Sequence, residues 1–464
     1  MALDAPATID RPPPWREVFQ GRRGRLTAGL LILEALVAVH SLVVATILPD
    51  VRLELGMVEL YGLVFTASSL ATISAIPVAG RAVDRLGARR VLLPVLALFA
   101  TGLLIAAAAP TMPVLLVGQF LAGAGGGGLY ALSLGTVAKT YPDRLRPRVL
   151  ALLATMWILP GLVGPPIGAA LASTVGWRWA FLAPLPVLLA GWLLITPALD
   201  LVPHEEGRHV TAPIRWAAQL MVGAALVFTS LTIVRPWALA LVAAGLAIAV
   251  PALRRIVPPG TLRAAPGVPA AALAAFLLSF GFLAVDAFLT LMLTEVRGQS
   301  LAAASIAVTG ATVSWSLGSM WQSGRADRTP LARLVVVGTI PVLIGSAAVA
   351  SALWTGVPLI VAYAGWALVG AGMGVVFPTI PLAAMRHAGA GEESSELSSV
   401  LLMDMLGVAT GAGLGGGAVA LVEALDAPLA AGIGGSFAMG FVALLGLVAV
   451  ARRIEPARRS ASPR

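Results

Sequence analysis

Fourteen stretches of this 464-residue chain are apolar, nearly free of charge and long enough to cross a lipid bilayer. About 20 helical residues, rising 1.5 Å each, cover the ~30 Å of hydrocarbon. Charged residues make up only 11% of the chain and hydrophobic residues 58%, so too little polar surface exists to cover a soluble core. The sequence therefore predicts an all-α integral membrane protein. Its spans are expected at 27–49, 60–80, 90–109, 112–138, 147–172, 178–199, 213–234, 236–253, 269–293, 300–322, 332–353, 357–382, 397–422 and 428–450.

The pair of spans at 213–253 depends on a short turn at Arg235-Pro236, and without that pair the count is twelve. The first 25 residues are polar, and the first span is too long for the apolar core of a signal peptide. We therefore expect no cleavage and a cytoplasmic N-terminal tail.

The charges predict the orientation of the chain. The two tails and the even-numbered loops hold 27 of the 31 Lys and Arg residues, and the odd-numbered loops hold only four: Arg52, Arg178, Arg235 and Arg297. This asymmetry places both termini in the cytoplasm. The net charge of +9 is then a topological signal that needs no nucleic-acid partner. The chain has no cysteine, which excludes disulfides and thiolate metal sites.

The chain repeats itself at an offset of about 245 residues. The sequence 48–51 (LPDV) matches 293–296 (LTEV), and 80–85 (GRAVDR) matches 324–328 (GRADR) with one residue deleted. Parallel repeats of this kind place a substrate site at their interface near the membrane midplane. The expected organisation is a cytoplasmic tail (1–26), a six-helix bundle (27–200), a linker with two additional helices (201–265), a second six-helix bundle (266–450) and a cytoplasmic tail (451–464).

Four motifs resemble those of the major facilitator superfamily, and more closely its fourteen-helix drug:proton antiporter branch. They are the signature at 80–90 (GRAVDRLGARR), the segment from Gly161 to Gly168, the turn at 176–181 (GWRWAF) and the end of span 1 at 44–49 (VATILP). The resemblance implies two six-helix bundles plus two inserted helices, with transport by alternating access. It implies a gating loop between spans 2 and 3, formed by Gly80, Arg81, Asp84, Arg85, Gly87, Arg89 and Arg90. It also implies an antiporter motif in span 5, formed by Gly161, Gly164, Pro165 and Gly168.

The chain departs from this branch at two positions. The span 1 motif usually carries an Asp where this chain has His40, and the span 4 motif usually carries an Arg where this chain has Gln119. Both family residues are tied to proton coupling. The coupling scheme of this chain is therefore expected to be rearranged.

Three acidic residues lie inside predicted spans: Glu34, Asp286 and Asp404. A carboxylate in hydrocarbon costs at least ~2.5 kcal/mol, so such groups usually face a cavity and have a function. His40 adds a group that titrates near neutral pH. These four residues are the candidates for proton coupling, with Glu34 first and Asp286 second. A buried carboxyl that simply hydrogen-bonds a neighbour is the alternative for each of them.

A polyspecific cavity needs aromatic and polar side chains, although packing between helices explains such residues equally well. The candidates are Gln119, Tyr130, Trp157, Tyr363 and Trp366, with Trp315 as a further aromatic residue. Two segments, at 123–128 and 411–416, match the glycine pattern of dinucleotide sites. Both lie within membrane spans, where small residues serve helix packing instead.

The sequence predicts a proton-coupled exporter of amphiphilic or hydrophobic small molecules in a bacterial plasma membrane, acting as a monomer without a cofactor or a metal. Three alternatives stay open. They are an exporter or flippase of one endogenous lipid or natural product, an uptake symporter, and a membrane-embedded enzyme with an acid–base site.

Overall fold

A computed structural model describes residues 15–142, 158–201, 214–231, 237–326, 328–387 and 393–455, together with 145, 149, 152, 153 and 156. The described residues contain helices and no β-strand. The α-helices are α1 (Gly21–Leu55), α2 (Tyr61–Leu86), α3 (Ala88–Ala107), α4 (Met112–Thr140), α5 (Ile158–Thr174), α6 (Arg178–Leu182), α7 (Pro184–Ile195), α8 (Ile214–Leu231), α9 (Ala238–Ile256), α10 (Val268–Leu291), α11 (Leu301–Ser323), α12 (Leu331–Ser351), α13 (Leu359–His387), α14 (Glu393–Ala424) and α15 (Leu429–Ala451).

The described residues hold twelve helical segments long and apolar enough to cross a membrane. This finding confirms an all-helical, multi-pass membrane protein. Each of the fourteen predicted stretches contains a helix, but α5 has only 17 described residues and the apolar part of α8 runs from Arg215 to Leu231. The first part of the predicted span at 147–172 lies largely outside the described residues. Fourteen membrane spans therefore stay a prediction.

The loop predicted between spans 2 and 3 is almost entirely helical. Span 2 was expected to end at residue 80, yet α2 continues to Leu86 and α3 begins at Ala88. Gly87 alone separates the two helices, and its φ of +82° lies in a region that side chains other than glycine rarely adopt. Helix α2 extends beyond the predicted span because a charged segment at a membrane surface can stay helical once it leaves the hydrocarbon.

The helices on either side of the α8–α9 hairpin repeat one pattern of neighbours. In the N-terminal half, α1 packs on α5 and α7, and α4 packs on α2 and α3. In the C-terminal half, α10 packs on α14 and α15, and α13 packs on α11 and α12. Equivalent contacts therefore join equivalent helices in the two halves.

Small residues bring paired helices close together. The Cβ atom that an alanine would add at Gly118 would lie 2.6 Å from the backbone nitrogen of Ala106, and one at Gly365 would lie 2.9 Å from the carbonyl oxygen of Gly345. In both the α3–α4 pair and the α12–α13 pair, a glycine thus allows the backbones of two helices to approach closely. Close backbone approach replaces the hydrophobic driving force that lipid does not provide between helices.

The two ends of the helix bundle differ in charge, and we call them the basic end and the far end. The basic end is the one where α1 and α10 begin, and it carries the arginines around Gly87. The far end is the one where α1 and α10 finish, and it carries Arg52 and Glu295 side by side. The two halves therefore run in the same direction, as parallel repeats require.

The α8–α9 hairpin lies against both halves. Helix α9 packs on α8, while α8 also packs on α2 of one half and α14 of the other. Toward the basic end, the guanidinium groups of Arg215 and Arg255 lie 4.6 and 5.8 Å from the ring centre of Trp216. This cluster of an aromatic ring and cations is typical of a membrane–water interface.

Candidate functional site

The two halves place buried carboxyl groups around one tyrosine, nearer the basic end than the far end. Glu34 of α1 is 7% exposed and Asp404 of α14 is 6% exposed. Tyr130 of α4 lies within electrostatic reach of both. The hydroxyl of Ser279, on α10, donates a hydrogen bond to Asp404. We call Glu34, Tyr130, Ser279 and Asp404 the inner cluster.

A second polar cluster lies closer to the far end. Asp286 follows Ser279 on α10 by seven residues, which is about 10 Å along the helix axis. Tyr61, at the start of α2, is fully buried and lies within electrostatic reach of Asp286, Arg52 and Glu295. Helix α10 therefore contributes a side chain to each cluster. Arg52, Tyr61, Asp286 and Glu295 form the far cluster.

His40 lies apart from both clusters, inside the N-terminal half. Its ring centre is 5.5 Å from that of Phe99 and 6.1 Å from that of Phe181, so it faces α3 and α6. His40 interacts with the side chain of Gln119, and both residues are buried. The two positions at which the sequence departs from the antiporter branch therefore meet in space.

The predicted cavity residues of the C-terminal half pack between helices. Trp366 is buried and stacks on Phe282, with ring centres 5.4 Å apart and planes 14° apart. Trp315 contacts the same ring edge-on at 5.7 Å. The hydroxyl of Tyr363 donates a hydrogen bond of 3.1 Å to the carbonyl oxygen of Ala303. Trp157 lies outside the described residues.

The predicted gating residues flank the single-residue turn at Gly87. Gly80, Arg81, Asp84 and Arg85 lie in the last two turns of α2, whereas Arg89 and Arg90 lie in the first turn of α3. Arg85, Arg89 and Arg90 are exposed and Arg81 is partly buried. The side chain of Asp84 lies outside the described part of the structure.

The predicted antiporter motif lies where α5 packs against both halves. A Cβ atom at Gly161 would collide with Thr312 of α11, in the opposite half. A Cβ atom at Gly168 would lie 3.2 Å from Val43 of α1, while Gly164 has more room. Pro165 lies inside α5 between these contacts. The motif thus lets one helix approach α1 and α11 together.

Contacts at the far end close the interface between the halves. Arg52 and Glu295 form an ion pair of 2.8 Å between α1 and the turn after α10. Thr66 of α2 donates a hydrogen bond of 3.1 Å to the carbonyl oxygen of Ala409 of α14. A side chain at Gly62 would collide with the backbone of α14 at Ala412. The structure therefore has its far end closed.

Sequence reasoning missed the residues that close the far end, although the sequence contained a signal for them. Arg52, Arg178 and Arg297 are described exceptions to the positive-inside pattern, and each makes a specific contact. Arg52 pairs with Glu295, Arg178 pairs with Glu54 at 2.5 Å, and Arg297 donates hydrogen bonds to three carbonyl groups. An arginine on the poorly charged side of a membrane protein is a candidate for such a role. Arg235 lies outside the described residues.

Within the described residues, no group of three or more His, Asp or Glu side chains is arranged to hold a metal ion. The inner cluster instead offers two carboxyls, a phenol and a hydroxyl. These groups can bind and release protons and accept hydrogen bonds from a ligand.

The chain is similar to known transporters in sequence and in fold. It is 27% identical over 470 residues to a probable multidrug-efflux transporter of Mycobacterium tuberculosis, a match that covers 95% of this chain and 97% of that protein. It is 26% identical over 201 residues to the multidrug transporter protein MdtP of Bacillus subtilis, covering 43% and 36% of the two chains.

Two solved structures share its fold at low sequence identity. One is a D-xylose–proton symporter, with a TM-score of 0.67 and 14% identity over 96% of this chain and 100% of that one. The other is an auto-inhibited peptide transporter of the POT family, with a TM-score of 0.68 and 15% identity over 95% and 99% of the two chains. The family model of the Major Facilitator Superfamily matches residues 30–412. The chain therefore belongs to the major facilitator superfamily and is a membrane transporter rather than an enzyme.

Proposed function

We propose that this protein exports amphiphilic or hydrophobic small molecules in exchange for protons. The observation that carries the proposal is the inner cluster, in which each half contributes a buried carboxyl to one neighbourhood around Tyr130. The site takes one carboxyl from each half. A bound proton or cationic substrate therefore meets a different set of partners in each of the two access states. Such differential contacts are what a ligand needs in order to shift a conformational equilibrium.

In the proposed cycle, Glu34 is deprotonated while substrate is bound and protonated on the return step. Asp404 belongs to the same site through Tyr130 and Ser279, and Asp286 lies about 10 Å farther along α10 as a second proton site. The predicted orientation makes the basic end cytoplasmic, so the closed far end faces outward. The arginines flanking Gly87 then latch the basic end when the far end opens.

The substrate class follows from the relatives and from the composition of the site. The relatives from Mycobacterium tuberculosis and Bacillus subtilis bear multidrug names. Carboxyl groups without a lysine or arginine inside the predicted spans favour neutral or cationic amphiphiles over anions. We propose a broad drug-like range, transported by a monomer in a bacterial plasma membrane and without a metal or other cofactor.

The test is efflux in inverted vesicles with and without a proton gradient. We expect Glu34→Gln and Asp404→Asn each to lower proton-driven transport at least tenfold while the protein still folds. Asp426→Asn is the matched control, because Asp426 is exposed at the far end and its φ of +51° is one that asparagine tolerates. Proton-driven efflux that survives in both cluster variants would refute the inner cluster as the coupling site. Competition by a lipid but by no drug would support the flippase alternative.

A further inference from the structure

We propose that helix α8 is a clasp that holds the far end of the transporter closed, with Phe228 as its central positioning residue. The proposal depends on the alternating access proposed above. It does not depend on which carboxyl couples transport to protons.

The clasp touches both halves at the place where they meet. A buried apolar cluster joins three helices, and we call it the seam cluster: Leu63 and Leu70 of α2, Ala224, Val227 and Phe228 of α8, and Ala409 of α14. The same turn of α14 accepts the hydrogen bond from Thr66 across the interface. Helix α8 therefore covers the seam along which α2 and α14 come together.

Phe228 fits a gap that only glycine leaves open. A Cβ atom added to Gly413 would lie 2.6 Å from the Phe228 ring, and it would lie 3.1 Å from the hydroxyl of Thr66. One turn farther along, a Cβ atom at Gly417 would lie 3.0 Å from that of Leu231. The ring thus packs directly on the backbone of α14, beside the hydrogen bond that ties α14 to α2.

Helix α8 packs on both halves, and more extensively on α2 than on α14. Toward the basic end, Leu220 of α8 and Ala249 of α9 form a second buried cluster, which Leu402 of α14 contacts. Contacts with α14 therefore extend toward the basic end, while Leu63 and Leu70 of α2 pack on α8 within the seam cluster. When the halves separate at the far end, α8 is expected to stay with α2, its more extensive partner, and to lose the contact between Phe228 and α14.

Loss of that contact is a cost of opening the far end. Helix association inside a bilayer depends on close packing rather than on removal of apolar surface from water. Truncation of Phe228 to alanine removes the contact between its ring and Gly413. Phe228→Ala is therefore expected to favour the state with an open far end without touching either polar cluster.

The absence of cysteine from the chain makes a direct test possible. Spin labels at Val175→Cys, in the N-terminal half, and Leu425→Cys, in the C-terminal half, occupy exposed positions at the far end. Their distance distribution reports the fraction of open molecules. We expect Phe228→Ala to raise the open-to-closed ratio about fivefold and Leu63→Ala to raise it about twofold. Val222→Ala, at an exposed position on the same helix, is the matched control and should leave the ratio unchanged.

Two further variants make each outcome decisive. Glu295→Gln breaks the ion pair of the far cluster and should open the far end independently of the hairpin. If Glu295→Gln shifts the distribution while Phe228→Ala and Leu63→Ala match the control, the clasp is refuted and alternating access stands. If no variant shifts it, alternating access and the clasp both fail. If Phe228→Ala is not recovered folded, Phe228→Leu and Leu63→Ala carry the test, with smaller shifts in the same direction.

Discussion

The far ends of α1 and α10 carry the same short sequence pattern but make different contacts. Arg52 and Arg297 occupy equivalent places, two residues after Asp50 and Glu295. Arg297 stays within its own half and donates hydrogen bonds of 2.7, 2.9 and 2.7 Å to the carbonyl groups of residues 352, 354 and 357. Arg52 instead reaches across to Glu295 in the other half. One arginine fixes a loop, and its equivalent joins the two halves.

In the N-terminal half, Arg52 is not needed for the loop contact that Arg297 makes in the other half, because Arg178 makes that contact instead. Arg178 donates a hydrogen bond of 3.1 Å to the carbonyl oxygen of Ala109, just after α3. Glu54 holds Arg178 in place and also accepts a 2.6 Å hydrogen bond from the indole of Trp177. Duplicated halves can therefore divide a task, since one copy keeps the structural contact within its half while the other gains a contact between the halves.

The largest effect is expected from Arg297→Ala. This change leaves three carbonyl groups without their charged donor, and we expect it to lower the free energy of unfolding by about 2–3 kcal/mol. Thermal unfolding of the purified protein, followed by tryptophan fluorescence, measures the loss. Arg52→Ala is the control from the equivalent position and should lose less than half as much. Equal losses in the two variants would mean that both arginines serve the same structural purpose.

Arg52→Ala should instead change the distribution between access states. The pair with Glu295 is partly exposed, so its coupling is expected to be only about 0.5–1 kcal/mol. That energy corresponds to roughly a two- to fivefold rise in far-end opening. The distance distribution between spin labels at Val175→Cys and Leu425→Cys measures it. The exchange Arg52→Glu with Glu295→Arg should restore the closed state, and failure to restore it would argue against a direct ion pair.

The smallest effect is expected from Glu54→Gln. Glutamine is the residue at the equivalent position in the other half, Gln299. The Glu54–Arg178 pair is largely exposed, so we expect less than about 0.5 kcal/mol of lost stability. The distance distribution between the spin labels at positions 175 and 425 should stay as in the wild type. A shift toward longer distances would show that Arg178 supports the closed state as well as the loop after α3.

Much of the fold could be predicted from hydropathy and charge. Helices lie in all fourteen predicted stretches, because uncharged runs of this length have few alternatives in lipid. Helix ends were less predictable. Residues 81–86 continue α2 because none of these six residues is a glycine or a proline. The apolar character of a stretch defines where it meets hydrocarbon, not where its hydrogen bonding ends.

The pairing of site residues could not be predicted from the sequence. Glu34, Asp286 and Asp404 were found because charge in a membrane span is rare, and this argument treats one residue at a time. Which of them share a neighbourhood depends on how the halves pack, and Tyr130 brings Glu34 and Asp404 together. The structure places Asp404 beside Ser279 of α10, a contact that the sequence did not predict. The interaction of His40 with Gln119 could likewise not be predicted from the sequence, because it depends on how α1 and α4 pack together.

The ion pair between Arg52 and Glu295 also has a consequence for the medium in which the transporter works. The two side chains remain 22% and 23% exposed, so dissolved ions can reach them. The Debye length falls from about 10 Å at 0.1 M salt to about 3 Å at 1 M. Concentrated salt at the far end therefore weakens the attraction that keeps that end shut, whereas the Phe228 contact is insensitive to it. High salt would shift the resting state of the transporter toward an open far end before any substrate is bound.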